Sequence, residues 1–247
     1  MRRKRLDILM VEKSVADSRN VAQRYIMAGS VFVNGVRANK PSDLFFEACD
    51  IKIRQKQKYV SRGGEKLEKA LTEFGFNNLE GKICVDVGAS TGGFTDCLLK
   101  HGAKKVYCID VGYGQLHVSL RNDPRVIVME RTNVRDVEFI PEQVDLVTVD
   151  VSFISLKIVV PVIQSWFVGY GSDVIALIKP QFEVGRVVAA KNKGVIKDNL
   201  IHENVIENLE IFFRKTDFQH RGVIESPILG PKGNKEFLIH LSYHPNT

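Results

Sequence analysis

From residue 61 onward, runs of consecutive apolar residues alternate with amphipathic stretches. "KICVDVG" (82–88), "KKVYCIDV", "VIVME", "VDLVTVDVS" and "SDVIALIKP" each read as a strand with apolar residues on both faces. "GFTDCLLKHG" and a stretch at about 200–215 read as helices. Doubly apolar strands alternating with helices predict a parallel sheet covered on both sides. Two further strands, near 219–225 and 235–243, are joined by "PILGPKGNKE", which is turn chemistry with no helix. The sheet is therefore expected to finish with an antiparallel strand.

The first quarter of the chain has a different pattern. "RLDILMVEKS" and "SRNVAQRYIMAG" read as short helices, the second capped by Ser18 and stopped by Gly29. "VFVNGVRA" predicts a hairpin around Asn34-Gly35, and "DIKI" one more strand. "RQKQKYV" (54–60) is polar, basic and aperiodic, so it reads as a linker. A small α+β domain over 1–58 and an α/β domain over 59–247 are expected.

Composition narrows the class. The 247 residues are 44% hydrophobic and 26% charged, as in an ordinary globular protein able to bury its own core. No apolar run reaches membrane-span length. The basic N-terminal start lacks the apolar run and cleavage site of a secretion signal, so a cytoplasmic location is expected. Cys49, Cys84, Cys97 and Cys108 show no paired spacing and are expected to be buried free thiols. Only Cys97 has a histidine at helical spacing, His101, and one pair makes no metal site.

Charge divides unevenly. Residues 1–60 hold 13 Lys and Arg against 6 Asp and Glu, whereas the remainder holds 22 against 23. The whole excess of +6 thus lies in the small domain, an electrostatic footprint for a polyanion such as RNA or else a solvated face.

"VDVGASTGGFTDCLL" places Gly88, Gly92 and Gly93 between a strand and a helix, where a backbone can approach a ligand and helix N–H groups are free. Asp110 ends the next strand, 22 residues after Gly88, where a carboxylate would meet a ribose diol. Ser90 stands where a dinucleotide site needs its middle glycine. Asp86, just before the turn, would repel a pyrophosphate and suit the ammonium of a methionine moiety. Both favour S-adenosylmethionine over a dinucleotide; a tight strand–helix turn with no ligand is the alternative.

Four charged residues fall where strand and helix ends border the crevice of such a sheet: Lys66, Asp150, Lys179 and Glu236. A hydroxyl attacking a sulfonium methyl must lose its proton. A lysine amine can accept it where a second ammonium and partial burial disfavour its charge, with carboxylates holding the pair in place. The alternative is a structural Lys179–Asp150 ion pair, with Lys66 and Glu236 as surface charges.

"SRGGEKLEKAL", "VDVGASTGGFTDCLL", "VTVDVSFISL", "ALIKPQFE" and "GPKGNKEFL" resemble, in order, the motifs of the TlyA-type RNA methyltransferases, whose catalytic domain is similar to the FtsJ ribose methyltransferases. The first domain resembles the alpha-L RNA-binding module of a small-subunit ribosomal protein. The resemblance implies a class I, Rossmann-like fold with a mostly parallel seven-stranded sheet and S-adenosylmethionine as donor. It implies methylation of a ribose 2′-hydroxyl, on cytidine, in the ribosomal RNA of the small or large subunit or both; no obligate protein partner is evident in the sequence. It assigns Lys66, Asp150, Lys179 and Glu236 as the catalytic tetrad, Lys179 as proton acceptor. Cofactor contacts fall to Asp86, Gly88, Ala89, Ser90, Thr91, Gly92, Gly93, Phe94, Asp110, Asn133, Val134 and Asp150. Asn133 stands where relatives often carry an acid, and "QKYV" replaces a tryptophan-containing linker. Arg19, Arg24, Arg37, Lys40 and Arg62 are the RNA-contacting candidates, positioned to meet phosphates. Two other classes compete: a non-catalytic ribosome assembly factor, and a membrane-active haemolysin, a name that family members also carry. The latter needs an amphipathic or spanning apolar segment, which the sequence lacks.

Overall fold

The computed structural model describes residues 3–53, 58–169 and 171–245. The chain divides into two compact units between Lys58 and Tyr59. Residues 54–57 of the expected linker lie outside the described residues.

The first unit runs β1 (Arg3–Arg5), α1 (Leu6–Glu12), α2 (Arg19–Met27), β2 (Val31–Val33), β3 (Val36–Arg37), β4 (Leu44–Phe46) and β5 (Ile51–Ile53). Strand β2 pairs antiparallel with β3 and β5. Asn34 and Gly35 take φ of 49° and 82°, the paired left-handed positions of a tight hairpin turn. Strands β1 and β4 form a separate antiparallel ribbon. The helices close over Leu6, Leu9, Met10, Ala22, Ile26, Val31 and Val33. Each of these side chains larger than alanine contributes about 1.5–3 kcal/mol by leaving water.

One charge organises this core from within. The Asp7 carboxylate is fully buried and accepts hydrogen bonds from Arg5, Arg19 and Gln23. Hydrogen bonding from Arg5 outweighs burial and holds the acid well below the usual carboxylate range. Arg19 donates one guanidinium N–H to this core carboxylate while its side chain stays more than half exposed.

The second unit begins with α3 (Gly63–Glu73) and continues β6 (Ile83–Val87), α4 (Gly93–Lys100), β7 (Lys105–Ile109), α5 (Val118–Arg121), β8 (Val126–Met129), β9 (Leu146–Val149), α6 (Leu156–Ile163) and β10 (Asp173–Ile178). It ends with α7 (Pro180–Glu183), α8 (Arg186–Lys191), α9 (Asn199–Phe213), β11 (Phe218–Glu225) and β12 (Phe237–Tyr243). The seven strands lie in the order β11-β12-β10-β9-β6-β7-β8. Strands β6 to β10 are parallel, and β12 runs antiparallel between β10 and β11, as the helix-free final turn predicts. Two apolar clusters fill the layers on either side of the sheet, one around Val85, Val147 and Ile239, the other around Leu67, Leu98 and Ile175. Cys84, Cys97 and Cys108 sit within the second, and all four cysteines are buried and free.

Chain order reverses between β6 and β9: β7 and β8 extend one way, β9 and β10 the other. The carboxyl ends of β6 and β9 therefore open the crevice where an α/β sheet takes its ligand.

Candidate active site

The crevice at that reversal is lined by two cavities. One, of about 380 Å³, opens over the ends of β6, β7 and β9 and is walled by Gly88, Ser90, Asp110, Asn133, Val134 and Asp150, together with Val111, Gln115, Thr132 and Phe153. The second, of about 450 Å³, is walled by Arg62, Gly63, Lys66, Gly88 to Thr91, Gly93, Phe94, Asp150 and Gly230. Gly88, Ser90 and Asp150 belong to both walls, so the cavities meet at the carboxyl ends of β6 and β9.

Gly88 sits at that junction for a steric reason. Its φ is 84°, and a Cβ there would lie 2.4 Å from the Asp150 carbonyl oxygen. Gly93 lets the first turn of α4 approach the start of α3, since a Cβ would come within 2.3 Å of Ser61 Oγ and 2.9 Å of Gly64 N. Gly92 backs onto Leu116 and Leu120 and lines neither cavity. Two of the three glycines thus serve the protein's own packing as much as ligand approach. Phe94 lines the second cavity but is 3% exposed and belongs to the core.

The tetrad candidates form two ion pairs. Lys179 Nζ lies 2.6 Å from Asp150 Oδ1 and donates to Ser152 Oγ at 3.0 Å. Lys66 Nζ donates to Glu236 Oε2 at 2.6 Å. Strand register brings the pairs side by side, because Ile178 faces Phe237 and so Lys179 and Glu236 are the next residues out on β10 and β12. Lys66 and Asp150 line the cavity, with Lys179 and Glu236 paired behind them. Glu236 Oε1 is buried with no hydrogen-bond partner among the described residues, and a Cβ on Gly230 would lie 1.9 Å from it. The missing side chain at Gly230 leaves this acceptor facing the cavity wall.

Asp110 occupies the end of β7 as expected, where its carboxylate accepts from Ser90 N and Gly112 N, both at 2.7 Å. It holds the glycine turn against β7 while lining the cavity. Asn133 caps a short turn by accepting from Arg135 N, and Val134 packs beside it in the same wall. Ala89 and Thr91 continue the turn on the second cavity.

Asp86 departs from its expected role. It is fully buried and lines neither cavity. It accepts from Thr95 N at 2.9 Å and Thr95 Oγ1 at 2.6 Å, and from Thr148 Oγ1 at 3.2 Å. Burial pushes its pKa up to about 7, against the lowering effect of those threonines. Facing the start of α4 from inside the strand, the side chain ties the turn down and does not reach a ligand's ammonium. A strand buried on both faces gives no sequence signal for which way one residue points.

Residues that sequence reasoning passed over also converge here. Phe153 is 90% exposed at a φ of 65° on the rim of the first cavity, its ring 4.8 Å from Phe182. Glu183 accepts from Ser155 Oγ at 2.6 Å and Leu156 N at 2.9 Å, fastening the segment after Lys179 to the segment after Asp150. Burial raises its pKa, with Ser155 and Leu156 opposing. The only sequence hint was the position of both residues just beyond the charges that end β9 and β10.

Comparison with known proteins gives a concordant picture. Residues 59–243 match the family described as FtsJ-like methyltransferase, and residues 4–45 match the S4 domain. A protein of Brachyspira hyodysenteriae named Hemolysin A is 44% identical over 246 residues, covering 96% of this chain and 98% of its own. The 16S/23S rRNA (cytidine-2′-O)-methyltransferase TlyA of Mycobacterium tuberculosis is 42% identical, covering 97% of this chain and 90% of its own. A solved structure from Streptococcus thermophilus superposes with a TM-score of 0.74 at 42% identity, over 100% of this chain and 90% of that one. No helix among the described residues is long and apolar enough to cross a membrane, and no cluster of metal-ligating side chains occurs among them.

Proposed function

Because the chain belongs to the FtsJ-like methyltransferase family, we propose that it transfers a methyl group from S-adenosylmethionine to a ribose 2′-hydroxyl of ribosomal RNA, with Lys179 as proton acceptor. The observation that carries this reading is the meeting of two cavities at Gly88, Ser90 and Asp150, with two lysine–carboxylate pairs alongside. Cytidine as the acceptor follows only the named relative.

The first cavity fits the donor. It has the volume of a small-molecule site, apolar walls from Val111, Val134, Val151 and Ile154, and polar groups from Asp110, Asn133 and Gln115. When bound, S-adenosylmethionine supplies an electrophilic methyl on a sulfonium. Asp110 would meet its ribose hydroxyls and Asn133 its adenine edge.

The second cavity receives the acceptor ribose. Lys66, held by Glu236, donates toward the incoming oxygen and orients it. As the oxygen–methyl bond forms, the hydroxyl proton passes to the Lys179 amine, which Asp150 and Ser152 hold in place. The bound donor would supply the methyl and be left as a thioether, so the balance would close with one methyl ether, one thioether and one ammonium on Lys179. General-base assistance is worth roughly 10²–10⁴-fold, and alignment supplies much of the rest. Phe153, exposed on the rim, offers a face for the target base.

The small unit supplies affinity for the RNA, with Arg24, Arg37 and Lys40 exposed on α2 and beside the hairpin. Arg62 stands at the mouth of the second cavity. This work takes place where ribosomal subunits are, in the cytoplasm.

The test is labelled methyl transfer from S-adenosylmethionine to ribosomal subunits taken from a strain lacking the protein. The intact chain is expected to label one or both subunits. Lys179→Ala should lose at least about 100-fold in rate while binding the donor normally by calorimetry. No label in either subunit from the intact chain would overturn the proposal. Absence of donor binding heat would favour a non-catalytic assembly factor.

A further inference from the structure

The second unit is close to neutral as a whole, but its basic residues are gathered. Segment 186–197, "RVVAAKNKGVIK", holds four basic residues and no acidic one. Lys191, Lys193 and Lys197 are exposed, as is Lys232 in the turn between β11 and β12. None of these four ammonium groups has an ion-pair or hydrogen-bond partner among the described residues, whereas neighbouring Lys235 and Lys69 are both engaged by Glu225. The nearest acid in sequence, Asp198, is turned to α9, where it caps Leu200 N.

The two segments that carry these lysines are joined. Asn234 is 3% exposed; its Oδ1 accepts from Ile196 N and its Nδ2 donates to Gly194 O, both at 3.0 Å. It thereby stitches the segment after α8 to the turn that leads, two residues later, into Glu236. Lys193 and Lys232 also hold left-handed backbone, at φ of 52° and 61°, each followed by a left-handed glycine. A lysine in that region costs about 1–2 kcal/mol, which the helix-ending hydrogen bonds from Lys193 N to Ala190 O and from Gly194 N to Ala189 O help to offset at Lys193.

We propose that Lys191, Lys193, Lys197 and Lys232 form a basic lip that binds the backbone phosphates of the RNA next to the target ribose, an electrostatic contact separate from that of the small unit. The proposal rests on the RNA-methyltransferase reading above. Lysine ammoniums are flexible point charges that suit phosphates and do not read bases. Their attachment through Asn234 to the strand bearing Glu236 fixes where those phosphates lie relative to the reacting hydroxyl.

The experiment measures binding of a structured ribosomal RNA transcript by the full chain from about 50 to about 200 mM salt. Changing all four lysines to Gln should lower the slope of log affinity against log salt by roughly 3. The pair Lys191→Gln and Lys197→Gln, both in ordinary backbone, should give about half of that, and four Lys→Arg changes should restore the slope. Donor affinity and melting temperature should not move. An unchanged slope in the Gln variants overturns the lip, as does an Arg set as defective as the Gln set. Because the readout is RNA affinity, it decides the lip whatever the methyl-transfer assay returns, and that assay decides the parent reading separately.

Discussion

Two strands of the central sheet look alike in sequence, each an apolar run carrying a charge near its end. In "ICVDV" the charge, Asp86, lies inside the strand and points into the helix layer, where Thr95 and Thr148 enclose it. In "DVIALIK" the charge, Lys179, is one residue past the strand, where it is paired behind Asp150, the neighbouring strand-end residue that lines the crevice. A charge within a doubly buried strand is absorbed by the fold, whereas a charge just beyond it remains available to chemistry. One residue along the chain separates a group that fastens the glycine turn from one placed to move a proton.

The largest expected effect separates the two ends directly. Asp150→Asn, which weakens the pairing of Lys179 and alters the wall shared by both cavities, should cut single-turnover methyl transfer by about 100-fold or more. Asp86→Asn keeps the shape and the threonine contacts, so its rate should stay within about threefold. Equal losses in the two variants would break the comparison and return Asp86 to the reacting site.

The second effect reads Asp86 through stability. Its folded pKa of about 7 lies above the ordinary value near 3.8, so the folded state holds this proton more tightly than the unfolded chain. Its contribution is therefore fully present below about pH 3.8 and is lost as pH rises toward 7, a loss on the order of 4 kcal/mol for a shift of this size. Asp86→Asn removes that dependence. Urea unfolding across this range should show the variant gaining on the parent as pH rises, with the gap levelling off above pH 7. A constant gap would mean that Asp86 is solvated and not enclosed.

Much of this architecture is legible in the sequence because its parallel strands are long apolar runs with glycine or charge at their ends. The glycine turn and the positions of Asp150 and Lys179 follow from those ends. What escapes is what tertiary packing decides. Helix α6, "LKIVVPVI", is apolar on nearly every side and contains Pro161, so despite its cap at Ser155 it shows no polar face to mark a helical period. Strands β1 and β4, "RKR" and "LFF", acquire their identity only by pairing with each other. Helix α8 is too short to declare a period, and the lysines at and after its end gain meaning through an asparagine that hydrogen-bonds Gly194 from forty residues away. Asp86 is misplaced for the same reason: side-chain direction inside a packed layer leaves no trace in spacing.

The smallest effect concerns a third charge, Glu183, which lies farther beyond β10 and shares features with both others. Like Asp86 it is largely buried, and like Lys179 it sits past the strand on the crevice side. Its two carboxylate oxygens hold Ser155 and Leu156, so it links the two segments that carry Asp150 and Lys179 without reaching the cavities of the reacting site. Glu183→Ala should lose about 2 kcal/mol of stability, since it abandons hydrogen bonds to a charged acceptor at the start of α6. It should lower kcat by roughly tenfold through slackened alignment, with KM for the donor unchanged. Glu183→Gln retains an acceptor for Leu156 and should recover most of both. If Gln restores stability but not rate, the carboxylate acts on the chemistry and belongs with Lys179. If the Ala variant loses stability yet turns over normally, Glu183 joins Asp86 as a fastening of the fold.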